Sequence, residues 1–189
     1  MPSSGPDSIA VIGAGVSGCA FVAQLRRLGY TGTLSLWETG RGPGGRASTR
    51  RSRQDHGLRI DHGAPLLNIT ATSEPLLLQP LLAGGWIEPW PGLIAQLQGE
   101  ATLRPGQVDA LGLGRLYGGG GGMDHLCKGL LSLVGEAGEA WQPHYGTLVR
   151  HLDCKDGVWQ LLGREGELLG QAHWLVLSST LLAHPRSRQ

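Results

Sequence analysis

Residues 8–18 read Ser8-Ile9-Ala10-Val11-Ile12-Gly13-Ala14-Gly15-Val16-Ser17-Gly18, a short apolar run that breaks into three glycines. Ile9 to Ile12 are four consecutive apolar residues, which leave no side for water and predict a strand buried on both faces. Gly13 permits a tight turn, Gly15 lets the backbone approach a pyrophosphate, and Gly18 lets the following helix pack close to the strand. A pyrophosphate would sit at the N-terminus of that helix, where unpaired N–H groups and the helix dipole favour negative charge. A GxGxxG pattern is weak by itself, and the sequence around it decides its meaning.

Downstream, Ala20, Ala23 and Leu28, with Phe21 and Leu25, recur at helical spacing. Arg26 and Arg27 fall in the last turn and Gly29 stands at the C-terminal stop. Thr33 to Trp37 then alternate as a second strand and deliver Glu38 at its tip, twenty positions beyond Gly18. A carboxylate at that spacing accepts hydrogen bonds from an adenosine ribose. It also disfavours a ribose 2′-phosphate, because two anions would face each other. The pattern predicts an α/β fold of the Rossmann type that takes FAD or NAD in preference to NADP.

At 189 residues the chain has the length of one ordinary domain, enough to bury a real core. A net charge of +1 with 16% charged residues gives no global pull towards nucleic acid or an anionic membrane, so binding must be local. Cys19, Cys127 and Cys154 are odd in number and form no CxxC pair, which indicates neither a disulfide framework nor a zinc site. Cys19 falls inside the first helix and reads as a small packed residue. The opening eight residues lack a basic segment followed by an apolar one, and no apolar stretch reaches about 18 residues, so neither a secretory signal nor a membrane span is expected. A reducing, cytoplasmic setting follows as the expectation. The seven histidines show no HxH or HExxH spacing, so no metal is expected, and no GxSxG nucleophile elbow is present.

After Glu38 comes a glycine-rich loop, Thr39-Gly40-Arg41-Gly42-Pro43-Gly44-Gly45-Arg46-Ala47-Ser48-Thr49. Its glycines expose backbone N–H groups, and the planar fork of Arg46 suits a pair of phosphate oxygens. Arg50, Arg51 and Arg53 extend the charge, so a solvated basic loop is the alternative. No aromatic residues are interleaved for base stacking, which ranks a nucleic-acid patch last.

The two glycine motifs, Gly13 to Gly18 and Arg41-Gly42-Pro43-Gly44-Gly45-Arg46-Ala47-Ser48-Thr49, together resemble the amine-oxidase-type FAD superfamily, and its renalase-like bacterial branch in particular. Ile60-Asp61-His62-Gly63-Ala64 is similar to that branch's Asp-x-Gly-Ala segment beside the flavin, followed here by Pro65 and Leu66 where the family has Gln and an aromatic residue. The resemblance implies that Gly13, Ala14, Gly15, Ser17 and Gly18 surround the pyrophosphate and that Glu38 holds the ribose. It further implies that Gly45 and Arg46 contact the phosphates, that Gly63, Ala64 and Pro65 line the isoalloxazine side, and that Val149 lies near the adenine. None of these is a proton-transfer residue, and no catalytic side chain is assigned. His62 is the one histidine to watch, since it lies in the flavin segment. The implied cofactor is FAD, and the implied reaction is hydride transfer from a small-molecule substrate to the flavin, the protein mainly positioning the reactants.

Residues 66–115 form an irregular, proline-punctuated insertion that the resemblance places on the substrate side. Trp86 and Trp90 there read as pocket wall or, more simply, as packing. Gly118 to Gly122 reads as a flexible lead-in to a helix with Leu126, Leu130 and Val134 on one face and Asp124 as its N-cap. Strands are expected over 147–152, 158–162 and 173–179, with Asp156-Gly157 as a hairpin turn and a second turn over 163–166. Such a meander returning to a parallel strand supports FAD over a plain NAD domain. Full-length relatives continue beyond a position equivalent to Gln189. The expectation is therefore a single Rossmann-type domain over residues 1–189, truncated or degenerate, with an intact adenosine half-site. Its flavin half-site is left for a second chain, or for nothing, to complete.

Overall fold

The protein's computed structural model describes residues 6–92, 95–98, 102–105, 114–135 and 138–179. In chain order it runs β1 (Ser8–Ile12), α1 (Val16–Arg27), β2 (Thr33–Glu38), a 3₁₀ turn at Gly45–Ala47, β3 (Thr49–Arg51), β4 (Arg59–Asp61) and β5 (Leu67–Ile69). Next come α2 (Leu78–Ala83), β6 (Ile87–Pro89), β7 (Ala95–Gln98), β8 (Thr102–Pro105), β9 (Arg115–Gly119), α3 (Asp124–Ser132) and a 3₁₀ turn at Gly138–Ala140. The last elements are β10 (Trp141–Tyr145), β11 (His151–Lys155), β12 (Val158–Leu162), β13 (Leu168–Ala172) and β14 (Trp174–Leu177).

A four-stranded sheet in the order β10-β2-β1-β14 organises the rest, and every neighbouring pair in it is parallel. Because parallel strands are joined by crossovers, both faces of this sheet are covered. One face buries Ile9, Val11, Leu34 and Leu36 against Cys19, Val22 and Ala23 of α1 and Leu126, Cys127 and Leu130 of α3. The other buries Ala10, Ile12 and Trp37 against Leu161 of β12 and Ala172 of β13, in the antiparallel β11-β12-β13 sheet, and against Val149, which precedes β11. Alternate residues of β1 thus serve opposite cores, which is why its apolar run is unbroken.

The α/β reading and the βαβ opening hold, with corrections in detail. β2 is buried over Leu34–Trp37 instead of alternating, and Ser35 is tolerated there because its hydroxyl accepts the Trp37 indole N–H at 2.9 Å. Phe21 and Leu28 of the first helical pattern are exposed, the packed stripe being Gly18, Cys19, Val22 and Ala23. Asp124 is not the N-cap of α3 but its first residue; Met123 holds the cap position. The glycine run 118–122 is close-packed rather than a loose lead-in, since a Cβ at Gly120 would fall 2.2 Å from the Gly85 carbonyl oxygen. Arg51 is not merely solvated, for its guanidinium grips Asp124 with two hydrogen bonds of 2.9 and 3.1 Å.

β10 is absent from the sequence reading. It carries Pro143 and pairs with β2 alone, and proline is accepted at such an edge because only one side of the strand is laddered. In parallel register His144 lies opposite Trp37 and stacks on it at 3.9 Å. The third strand expected at 147–152 begins only at His151, whereas the Asp156-Gly157 turn stands as read, with φ of 51° and 79° between β11 and β12. Among the described residues of 66–115, where an irregular insertion is expected, the elements are short; positions 93–94, 99–101 and 106–113 lie outside the described residues. So does the end of the chain, 180–189, and with it the expectation drawn from where the sequence stops. No helix of the described residues is long and apolar enough to cross a membrane.

Candidate functional site

The glycine turn after β1 and the glycine loop after β2 meet at the C-terminal end of the parallel sheet. Gly13, at φ 105°, turns the chain out of β1 and donates its N–H to the Trp37 carbonyl at 2.8 Å. Gly44 donates to the Ala14 carbonyl at 2.8 Å, and Gly15 and Gly44 form an isolated parallel bridge. Gly45, at φ 55°, approaches so closely that a Cβ on it would lie 3.0 Å from the Gly15 Cα. Beneath this junction the buried Cys19 thiol donates to the Ala14 carbonyl at 3.4 Å and the buried Cys127 thiol to the Gly44 carbonyl at 3.7 Å. The neighbouring Cys127 thiol, then burial, push the Cys19 thiol far above its ordinary range, so it packs and does not react.

Glu38 closes the far side. Its two carboxylate oxygens accept the Ala14 N–H at 2.9 Å and the Gly40 N–H at 2.7 Å, and each oxygen keeps lone-pair capacity for a second donor. The first turn of α1, capped by Gly15, has no side-chain cap and no acidic residue, so its leading N–H groups are open to an anion.

These walls enclose a cleft of about 390 Å³, lined by Gly13, Gly15, Ser17, Glu38, Gly45, Arg46 and Ala64 among others. A smaller hollow of about 110 Å³, bordered by Trp37, Thr147 and Val149, shares Gly13 and Glu38 with it. Most of the residues expected at a dinucleotide are therefore brought together. Ala14 and Gly18 face inward instead: Ala14 is fully buried, and a Cβ on Gly18 would meet the Gly13 carbonyl oxygen at 2.1 Å. Gly63 and Pro65 are exposed and stand outside the cleft wall. Between them the Ala64 N–H donates to the Arg46 carbonyl at 2.7 Å, and that bond brings Ala64 alone to the wall. His62 is exposed as well.

Ser178 and Ser179, which follow β14 and line the cleft, were not expected. Their placement depends on β14 pairing with β1, a contact across some 165 positions that no local pattern announces. Among the described residues, no group of three or more His, Cys, Asp or Glu is arranged to hold a metal.

Residues 11–77 match the family model of the NAD(P)-binding Rossmann-like domain. The α/β fold is Rossmann-like. Over 202 residues the chain is 26% identical to the tRNA 5-methylaminomethyl-2-thiouridine biosynthesis bifunctional protein of Cupriavidus necator, an alignment covering 89% of this chain and 30% of that protein. Among solved structures, the chain superposes on an oxidoreductase from Methanosarcina mazei with a TM-score of 0.62 at 11% identity, covering 93% of this chain and 60% of that one. A CLA-producing fatty acid isomerase from P. acnes gives a TM-score of 0.64 at 13% identity, covering 93% and 59%. At these identities the likeness is one of fold. The chain thus spans less than a third of its curated relative and about three fifths of these two structures.

Proposed function

We propose that the chain is the nucleotide-holding part of an FAD-dependent oxidoreductase of the amine-oxidase-type superfamily, nearest to its renalase-like branch, acting on a small reduced substrate in the cytoplasm. The observation that carries this reading is the space over Gly15. Its φ of −75° suits any residue, and a Cβ there would meet nothing nearer than the Gly45 Cα at 4.0 Å. Neither backbone nor packing asks for glycine at this position, so the missing side chain is explained by a ligand that comes close to the backbone. The open amides, the Arg46 guanidinium and the carboxylate of Glu38 supply what a dinucleotide needs on either side of that space.

When bound, FAD supplies the hydride acceptor. The work of the chain's own residues is binding and orientation. The amides of Gly15, Val16 and Ser17, with Arg46, hold the pyrophosphate; Glu38 accepts the ribose hydroxyls and repels a 2′-phosphate; Val149 packs by the adenine. Ala64, with Gly63 and Pro65 beside it, marks the direction of the isoalloxazine. Since only Ala64 of these three reaches the wall, the adenosine half is the more complete. That favours one second reading, a non-catalytic nucleotide module whose flavin side is finished by a partner chain. Neither reading calls for nucleic acid or a membrane surface.

The test is a visible absorbance spectrum of the purified protein with FAD and ADP titrations of the apo form. Arg46→Ala is expected to weaken FAD binding about tenfold, the loss of a charge-assisted hydrogen bond, while leaving thermal stability unchanged. A protein that takes up neither FAD nor ADP would refute both readings. Steady-state oxidation of a reduced nicotinamide or an amine separates the first from the second.

A further inference from the structure

We infer that Ser178 is a positioning residue of this site: with Glu38 it pins the Gly13–Ala14 peptide from both ends and so aims the open amides of α1 at the anion. The inference rests on the dinucleotide reading above and adds a residue to it. Ser178 stands directly after β14, and its backbone N–H donates to the Ile12 carbonyl at 3.0 Å, extending the β1–β14 ladder by one bond. Its hydroxyl lies 2.7 Å from the Gly13 carbonyl oxygen and 3.1 Å from that of Ile12. A hydroxyl has one proton to give, and the shorter contact is to Gly13.

The Gly13 carbonyl and the Ala14 N–H belong to one planar trans peptide and point to opposite sides of it. The Ala14 N–H goes to Glu38 at the end of β2; the Gly13 carbonyl takes the Ser178 hydroxyl at the end of β14. The two strands flanking β1 therefore each send one side chain to the same peptide plane. Glycine at 13 would otherwise leave that plane the freest in the turn. With the Ala14 carbonyl already accepting from Gly44 and Cys19, the polar groups of residues 13 and 14 are all committed inside the protein. The first amides left over are those from Gly15 onward, at the mouth of the cleft.

The fit around the hydroxyl explains why serine suits the position. A Cβ on Gly13 would lie 3.0 Å from the Ser178 Oγ, and one on Gly18 only 2.6 Å from it. The hydroxyl occupies space that both glycines keep open.

The experiment measures ADP affinity of the full chain by calorimetry for wild type, Ser178→Ala and Ser178→Thr, together with hydrogen exchange of the Ala14 amide in the apo protein. Ser178→Ala is expected to bind ADP about fivefold more weakly, with faster exchange at Ala14 but not along β1 and β14, and Ser178→Thr, which keeps the hydroxyl, to recover most of the affinity. Unchanged affinity in Ser178→Ala overturns the inference. So does faster exchange spread evenly over both strands, which is the mark of a residue that only stabilises the sheet. If wild type itself fails to bind ADP, the dinucleotide reading falls and this one with it; if wild type binds and Ser178→Ala binds equally well, this one falls alone.

Discussion

Gly15→Ala is expected to leave the fold intact and to abolish tight dinucleotide binding, whereas Gly18→Ala is expected to damage the fold itself. The two glycines belong to one motif, but the structure separates their reasons. At Gly18 an added Cβ would sit 2.1 Å from the Gly13 carbonyl oxygen and 2.6 Å from the Ser178 hydroxyl. The first of these is backbone, already engaged in the turn out of β1, and α1 is packed too closely on the sheet to retreat without opening the core around Cys19, Val22 and Ala23. Overpacking of this kind carries a penalty of about 3 kcal/mol, a large part of a small domain's stability. At Gly15 the nearest heavy atom is 4.0 Å away and the backbone is extended. Alanine there changes stability by less than about 0.5 kcal/mol, since a stiffer unfolded chain offsets the poorer N-cap. Its methyl group stands where the pyrophosphate approaches, and affinity for ADP or FAD is expected to fall at least about tenfold. Urea unfolding and ADP titration of both variants give the result. Equal binding by Gly15→Ala and wild type would remove the observation on which the proposed function stands.

How far the sequence could be read depended on how local each feature is. β1, α1, β2 and Glu38 lie within one run of residues whose apolar pattern, glycine spacing and acidic tip all point the same way, and they appear where expected. The Asp156-Gly157 hairpin is local in the same sense. β10 is not: Gln142 and Pro143 break any strand pattern, and only the edge of a parallel sheet makes the segment regular. Ser178 and Ser179 carry no signal of their own, because two serines after a strand mean nothing until β14 is placed beside β1. The same holds for Cys127. In sequence it is one more apolar position on a helix, whereas in the fold α3 carries it under Gly44, so that a residue 83 positions further along the chain supports the floor of the cleft.

That support has a pH limit, because the first turn of α3, a helix otherwise held by core packing, is fastened through one buried carboxylate. The side chain of Asp124 is 8% exposed and receives the Arg51 guanidinium at 2.9 and 3.1 Å and the Lys128 ammonium, one helical turn on, at 2.5 Å. Around it, the Asp124 N–H donates to the Thr49 hydroxyl at 3.0 Å, and the Met123 N–H and the Thr49 hydroxyl both donate to Asp61, at 3.0 and 2.5 Å. The first turn of α3 is thereby fastened to the β3–β4 hairpin that rises from Arg46. Burial alone would push the Asp124 carboxyl up; the hydrogen bonds from Arg51 and Lys128 outweigh it and lower the group from 3.8 to about 2. A carboxyl depressed in the folded state contributes stability that is complete above its unfolded value and is lost as pH falls through the folded one. The window here runs from about pH 4 down to about pH 2, and the contribution is about 2 kcal/mol. Asp124→Asn keeps the volume and removes the charge, so it is expected to lose about that much stability at neutral pH and to flatten the acid limb of the unfolding curve across the same window. Because α3 carries Cys127 beneath Gly44, the wild-type protein is also expected to release ADP more readily as acid protonates Asp124, and the variant to show no such step. An acid limb identical in wild type and Asp124→Asn would place the acid sensitivity elsewhere and deny this carboxylate its part in holding the cleft.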